Sequence, residues 1–364
     1  MLASFSSAAD QWAYFGTYTK GESKGIYSAS FDSGTGEVGE IRLAVELENP
    51  SFLVIHPNET VLYAVSEVKD SKGGGSVSAF KISRDTGELV FLNRQPTKGG
   101  APCHASMDAK GQCLLVANYL GGNVISYSID REGKISEPRS LIQHQGSSVN
   151  KRRQQEPHAH SINPGSGDRF AYAADLGADK VFVYRLNPEM GTLESSGAVS
   201  ASPGAGPRHM AIHPGGKFVY AINELDLTVT AYRCNPDDGS LASFQKIGTL
   251  PENQENVGST AEVRIHPNGK FLYGSNRGHN SIVVYRIDQE DGKLTKLQVE
   301  SVRCEVPRNF NFDLSGKFLF AAGHKSNLVT LFNLNQETGL LEFTGTEFPV
   351  ASPVCIKLVN RTKD

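Results

Sequence analysis

The chain has little that would carry a redox, membrane or polyanion-binding role. Its five cysteines, Cys103, Cys113, Cys234, Cys304 and Cys355, are odd in number and form no CxxC pair, which argues against a disulfide framework and for a reducing compartment. No stretch approaches the length needed to cross a bilayer, and the opening "MLASFSSAADQW" lacks the basic and apolar regions of a secretion signal. These absences predict a cytoplasmic protein without a membrane partner, a trimmed leader being the alternative. Charge of one sign is missing too: 36 basic residues stand against 39 acidic ones, a net charge of −3, and nothing calls for nucleic acid. There is no GxxxxGK[ST] loop. "KGGGS" at 72–76 is glycine-rich but has the wrong spacing, and reads as a flexible hairpin. No GxSxG elbow offers a serine nucleophile. Trp12 is the only tryptophan, a poor endowment for the aromatic rim of a noncatalytic protein-docking platform.

What is plentiful is repetition. "HPNETVLYAVS" (56–66), "MDAKGQCLLVAN" (107–118), "NPGSGDRFAYAAD" (163–175), "HPGGKFVYAIN" (213–223), "HPNGKFLYGSN" (266–276) and "DLSGKFLFAAG" (313–323) are copies of one phrase, and "AYFG" (13–16) is a seventh copy of its second half. Their ends fall at 16, 66, 118, 175, 223, 276 and 323, a spacing of 47 to 57 residues, which is the period of a β-propeller blade. Each unit alternates apolar and polar residues as four short strands do, and "DSGTGEV", "SRDTGEL", "DREGKI", "NPEMGTL", "NPDDGSL", "DQEDGKL" and "NQETGLL" place a hairpin glycine at the same point of every unit. The last segment, "SPVCIKLV" (352–359), matches the first strands "NPSFLVIHP" and "GPRHMAIHP". One blade is therefore expected to combine both termini and close the ring. The prediction is an all-β chain, a seven-bladed propeller of four-stranded antiparallel blades in one domain over 1–364, with 1–11 as a flexible extension.

In such a blade the starts of first strands and the ends of second strands meet at one mouth of the central channel. That rule gathers His104, His158, His160, Arg208, His209, Glu262, Arg264 and Arg308 with Asn118, Asp175, Asn223, Glu224, Asn276, Arg277 and His279. His56, His213 and His266 fall at the other end in "HP" turns that repeat from blade to blade, and are expected to be turn residues without chemistry. By contrast His158, His160, Arg208 and Arg264 interrupt the repeat on neighbouring blades, where others carry apolar residues such as Phe52. In strand geometry His158 and His160 point to one face. A metal would need a third ligand and would be repelled by Arg208, Arg264 and Arg277, so no metal is assigned. What remains is a cationic acid/base pocket for a small anionic substrate.

The phrases "RQQEPHAHS", "GPRHMAIHPGGKFVYAINEL", "AEVRIHPNGKFLYGSNRGHNSIVVY" and "PRNFNFDLSGKFLF" resemble those of the seven-bladed lactonase family, which holds propeller-type 6-phosphogluconolactonases and the fungal carboxy-muconate cycloisomerase. The resemblance covers essentially the whole chain; "AAGHKSN" (321–327) departs from it where the family more often has Asn in place of Gly323. It implies a cofactor-free, metal-free set of one histidine, one glutamate and two arginines: His160 or His158, Glu224, Arg208, and Arg277 with Arg264 as competitor. His160 is preferred as base. It further implies hydrolysis of a sugar δ-lactone such as 6-phosphogluconolactone, with a carboxylated muconate in a cycloisomerase as the alternative. Arg153, Asn223, Asn276, His209, His279 and Arg308 are the accompanying substrate-binding candidates, Arg152 and Arg153 being placed for a phosphate. The segment 142–155, the longest interruption of the repeat, either covers the mouth or lies idle.

Overall fold

A computed structural model describes residues 9–69, 74–255 and 257–361. Among these, twenty-eight strands form seven four-stranded antiparallel sheets, arranged as the blades of a propeller. Helix is confined to a 3-10 turn at Ser166–Asp168, and no helix is long and apolar enough to cross a membrane. Residues 1–8 of the expected extension lie outside the described residues, as do positions 72 and 73 of the glycine-rich stretch; Gln11 already pairs with Phe31 and Asn360.

The first blade takes Pro353–Asn360 as its innermost strand and Gln11–Thr17, Gly25–Phe31 and Arg42–Glu46 as the next three. Trp12 pairs with Val359 and Phe15 with Ile356, so the two ends of the chain close the ring through a full strand ladder. One detail corrects the repeat as read from sequence. The strand equivalent to "LYAVS" ends at Thr17, one residue beyond Gly16, and its register with the C-terminal strand shifts between Gly16 and Thr17.

Blades are fastened to one another by the residues that repeat. Second-strand tyrosines reach into a neighbouring hairpin turn: Tyr63 donates to the Gly133 carbonyl at 2.9 Å, Tyr220 to Gly292 at 2.7 Å and Tyr273 to Gly339 at 2.7 Å. Gly292 is needed there twice over, for its φ of +77° and because a Cβ would lie 2.5 Å from the Phe218 ring. The "HP" histidines do similar work at the far end of the channel. His213 accepts from the Gly215 amide and contacts the Gly269 carbonyl at 3.0 Å, and His266 reaches Gly316 at 2.9 Å. These bonds tie each turn to the next blade, as expected of turn residues. Between blades the apolar faces interlock; Phe170, Tyr172, Met210 and Tyr232, for example, form one buried cluster across two sheets.

Candidate active site

A repeated backbone irregularity builds the mouth. Pairing of first with second strands runs from Pro102–Asn118 to His104–Ala117, from Ala159–Asp175 to Ser161–Ala174, from Pro207–Asn223 to His209–Ile222, and from Pro307–Gly323 to Asn309–Ala322. Each ladder skips one residue, and the skipped residues are Cys103, His160, Arg208 and Arg308. A bulge re-aims its extra side chain, and here it aims them at the channel mouth. A second ring comes from the residues that follow the second strands, Tyr18, Glu67, Tyr119, Leu176, Glu224 and His324, with Arg277 at the equivalent position of the longer strand Phe271–Gly278.

Glu224 is where the two rings meet. Its Oε2 accepts from Arg208 Nε at 2.9 Å, lies 2.9 Å from Arg277 Nη2 and is 3.8 Å from His160 Nε2, while Oε1 accepts from Arg153 Nη2 at 2.8 Å. Burial alone would raise this carboxyl, but Arg277, Arg208, His160 and Arg153 outweigh it and hold the group well below the usual carboxylate range. His160 is held well below the ordinary histidine value, by burial first and then by Arg208, against the pull of Glu224. It is therefore a neutral imidazole beside a carboxylate. Its Nδ1 is 3.5 Å from Cys103 Sγ, and burial keeps that thiol protonated. Arg208, 1% exposed, is pushed down to about 10 by burial, Arg308 and Arg277, and still carries its proton at neutral pH. Arg308 stacks over the Tyr18 ring at 5.4 Å and approaches Glu67 at 4.0 Å. Four guanidinium groups, of Arg153, Arg208, Arg277 and Arg308, thus face two carboxylates, of Glu224 and Glu67.

The other sequence candidates fall elsewhere. His158 precedes the strand Ala159–Pro164; its ring stacks on Tyr119 at 4.5 Å with Nδ1 3.0 Å from the Tyr119 carbonyl. His160 meets Tyr119 in a T-shaped contact at 5.1 Å, so the two histidines share a tyrosine rather than a ligand. His209 lies deeper, with Nδ1 3.1 Å from Glu262 Oε1, and Arg264 deeper still, donating from Nε to the Phe310 carbonyl at 2.8 Å. Asn223 donates to Thr228 and Thr230, Asn276 to Thr249 and Ser281, and His279 contacts Ser281. Asn223 and His279 are engaged within their own blades, Asn276 bridges to the end of the preceding blade at Thr249, and none of the three has a hydrogen bond to the Glu224 side chain among the described residues. Tyr18, Glu67, Tyr119 and Cys103 were not singled out from the sequence, although the position after the repeated phrase, which yields Glu224 and Arg277, also yields Glu67 and Tyr119.

The long interruption of the repeat is an ordered strap. Asp175 clasps both of its ends, accepting from the His158 amide at 2.8 Å and bonding His144 Nδ1 at 2.6 Å, while His144 Nε2 meets the Tyr184 hydroxyl at 2.6 Å. Buried Gln154 donates to the Leu176 carbonyl at 2.9 Å. The strap thereby covers the position where the second ring offers only Leu176. It also delivers Arg153, whose Nη2 reaches both Glu224 and the Tyr119 hydroxyl, the latter at 3.0 Å.

Comparison with known proteins agrees with this architecture. The family model "Lactonase, 7-bladed beta-propeller" matches residues 12–358. A Bacillus subtilis protein named 6-phosphogluconolactonase is 36% identical over 348 residues, covering 96% of this chain and 98% of its own. A Formosa agariphila protein of the same name is 34% identical over 83% of this chain and 86% of its own. Among solved structures, a Pseudomonas aeruginosa periplasmic gluconolactonase superposes with a TM-score of 0.91 at 28% identity, over 97% of this chain and 100% of that one. With its seven blades, terminal closure and near-complete match, this chain belongs to the seven-bladed β-propeller lactonase family.

Proposed function

We propose that the protein hydrolyses a sugar δ-lactone carrying a phosphate, 6-phosphogluconolactone being the compound that fits best. The observation that carries the reading is a neutral histidine beside a carboxylate in a mouth with two more guanidinium groups than carboxylates. Two surplus positive charges suit a phosphate dianion. The relatives named 6-phosphogluconolactonase support a lactone as the reacting group.

In this mechanism His160 Nε2 takes a proton from water as the oxygen attacks the lactone carbonyl. The imidazolium so formed is stabilised by Glu224, 3.8 Å away. Arg208 and Arg277 face the oxyanion of the tetrahedral intermediate. Collapse breaks the ring C–O bond, the proton on His160 passes to the departing alkoxide, and the new carboxylic acid loses its own proton to solvent. Arg153 and Arg308 hold the phosphate. A carboxylated muconate would meet the same arginines, but the names of the relatives favour the lactone.

The test is proton release from freshly prepared 6-phosphogluconolactone and from gluconolactone, with chelator present, by the wild type, His160→Ala and Glu224→Gln. Turnover of the phosphorylated lactone that falls about 10²–10⁴-fold in His160→Ala is expected. A rate no faster than spontaneous hydrolysis would refute the reading, and preference for gluconolactone would remove the phosphate from it.

A further inference from the structure

The channel is divided by a layer of rings. Phe52 packs on His104 at 4.4 Å, His104 on His209 at 5.1 Å and His209 on His160 at 5.4 Å. On the side away from Glu224 lies a cavity of about 770 Å³. Its wall is supplied by the next inward-facing position of each first strand, namely Val54, Ser106, Asn163, Ala211, Arg264, Asn311 and Lys357. Arg264 and Lys357 are the charged members of that ring.

Arg264 has only a long ion pair with Glu262, which also lines the cavity, and Lys357 has no ion pair among the described residues. Arg264 Nη2 comes no closer than 3.5 Å to Glu262, and that carboxylate already bonds His209 and the Asn309 amide. Lys357 Nζ sits over the Phe52 ring at 5.2 Å and has no hydrogen-bond acceptor among the described residues. Asp108 and Asp313, which also border the cavity, are occupied by backbone amides of their own turns. A second donor is idle as well, because the Asn163 Nδ2 is buried with no hydrogen-bond partner among the described residues. Buried donors left unsatisfied are costly, and burial together with Arg264 pushes the Lys357 amine down to about 8.

We propose that this cavity is a second anion site, which takes a small doubly charged oxyanion, a phosphate monoester or a dicarboxylate, between Arg264 and Lys357 with the Asn163 amide donating to it. The site is separate from the Glu224 mouth and does not depend on the lactone reading.

Calorimetric titration of the full chain with inorganic phosphate, and separately with succinate, at fixed ionic strength tests it. The wild type should show two classes of site. Lys357→Met should weaken one class by about tenfold or more, the loss of one charge-assisted hydrogen bond, and Arg308→Met should weaken the other. Asn163→Leu, which leaves both charges in place, should weaken the same class as Lys357→Met and guards against a folding defect in that variant. Response to both probes would mark a general oxyanion site, and response to phosphate alone a phosphate ester site. Titrations of Lys357→Met and Asn163→Leu that overlay the wild type, with all binding lost in Arg308→Met, would overturn the proposal.

Discussion

The two ends of the channel use histidine in opposite ways. At the far end His213 and His266 recur at the same blade position, each bridging its own turn and the next blade through both ring nitrogens. At the mouth His160, and beneath it His209, occur where other blades have Cys103, Ser161 or Phe52, and the Nε2 of His209 is buried with no hydrogen-bond partner among the described residues. The repeating turn histidines have both ring nitrogens engaged, whereas His209, which departs from the repeat, has one to spare. Gly292 is fixed by a neutral tyrosine hydrogen bond and a turn, whereas Glu224 is held by charge-assisted hydrogen bonds and ion pairs to arginines.

The contrast can be broken most forcefully at His160. If the mouth histidine is chemical and the turn histidine structural, His160→Ala loses about 10²–10⁴ in kcat/KM, while His213→Ala keeps the wild-type rate and loses about 1 kcal/mol in urea unfolding. Equal loss of rate in the two variants would erase the distinction. Next in size is Gly292→Ala. A side chain forced to positive φ against Phe218 costs about 1–3 kcal/mol, read as a lower urea midpoint with unchanged KM. Arg153→Met sharpens the contrast within the mouth, raising KM for the phosphorylated lactone about tenfold and leaving KM for gluconolactone nearly as it was.

The smallest effect concerns pH. His104, His160 and His209 are all held well below the ordinary value, by burial first. The unfolded chain therefore takes up these protons before the folded one does. Stability is full above about pH 6.5 and declines as pH falls below it toward the depressed folded values. Urea midpoints measured from pH 7.5 to 5 should show this decline, and His104→Phe should flatten it. An unchanged slope in that variant would remove His104 from the account.

The propeller was legible because its evidence is local and repeated around the ring: a glycine in each hairpin, and an aromatic in every second strand but Cys113–Asn118. The bulges were not, since one extra residue in a strand leaves the alternation of apolar and polar residues on either side intact. Without them the first copy of the repeat is phased at Gly16 instead of Thr17, and Tyr18 drops out of the ring that contains Glu224. Arg264 shows a second limit. It shares a strand face with Glu262, which alternation reveals, but two residues also advance the chain by about 7 Å, enough to carry it past the ring layer into the far cavity. Asn223 and Asn276 end their second strands, yet their amides serve strand and blade contacts at Thr228, Thr230, Thr249 and Ser281, a matter of partner geometry that spacing does not encode.

The Asp175 clasp has a consequence for how such an enzyme changes over time. Because one carboxylate pins both feet of the strap, the residues between His144 and His158 can be shortened, lengthened or rewritten without disturbing a rung of the propeller ladders. On the proposed reading, in which Arg153 holds the phosphate, substrate choice sits in a detachable cassette and acid/base chemistry in the frame. A descendant that keeps Asp175, His144 and Tyr184 but loses Arg153 would be free to adopt an uncharged lactone while inheriting the rest of the machinery whole.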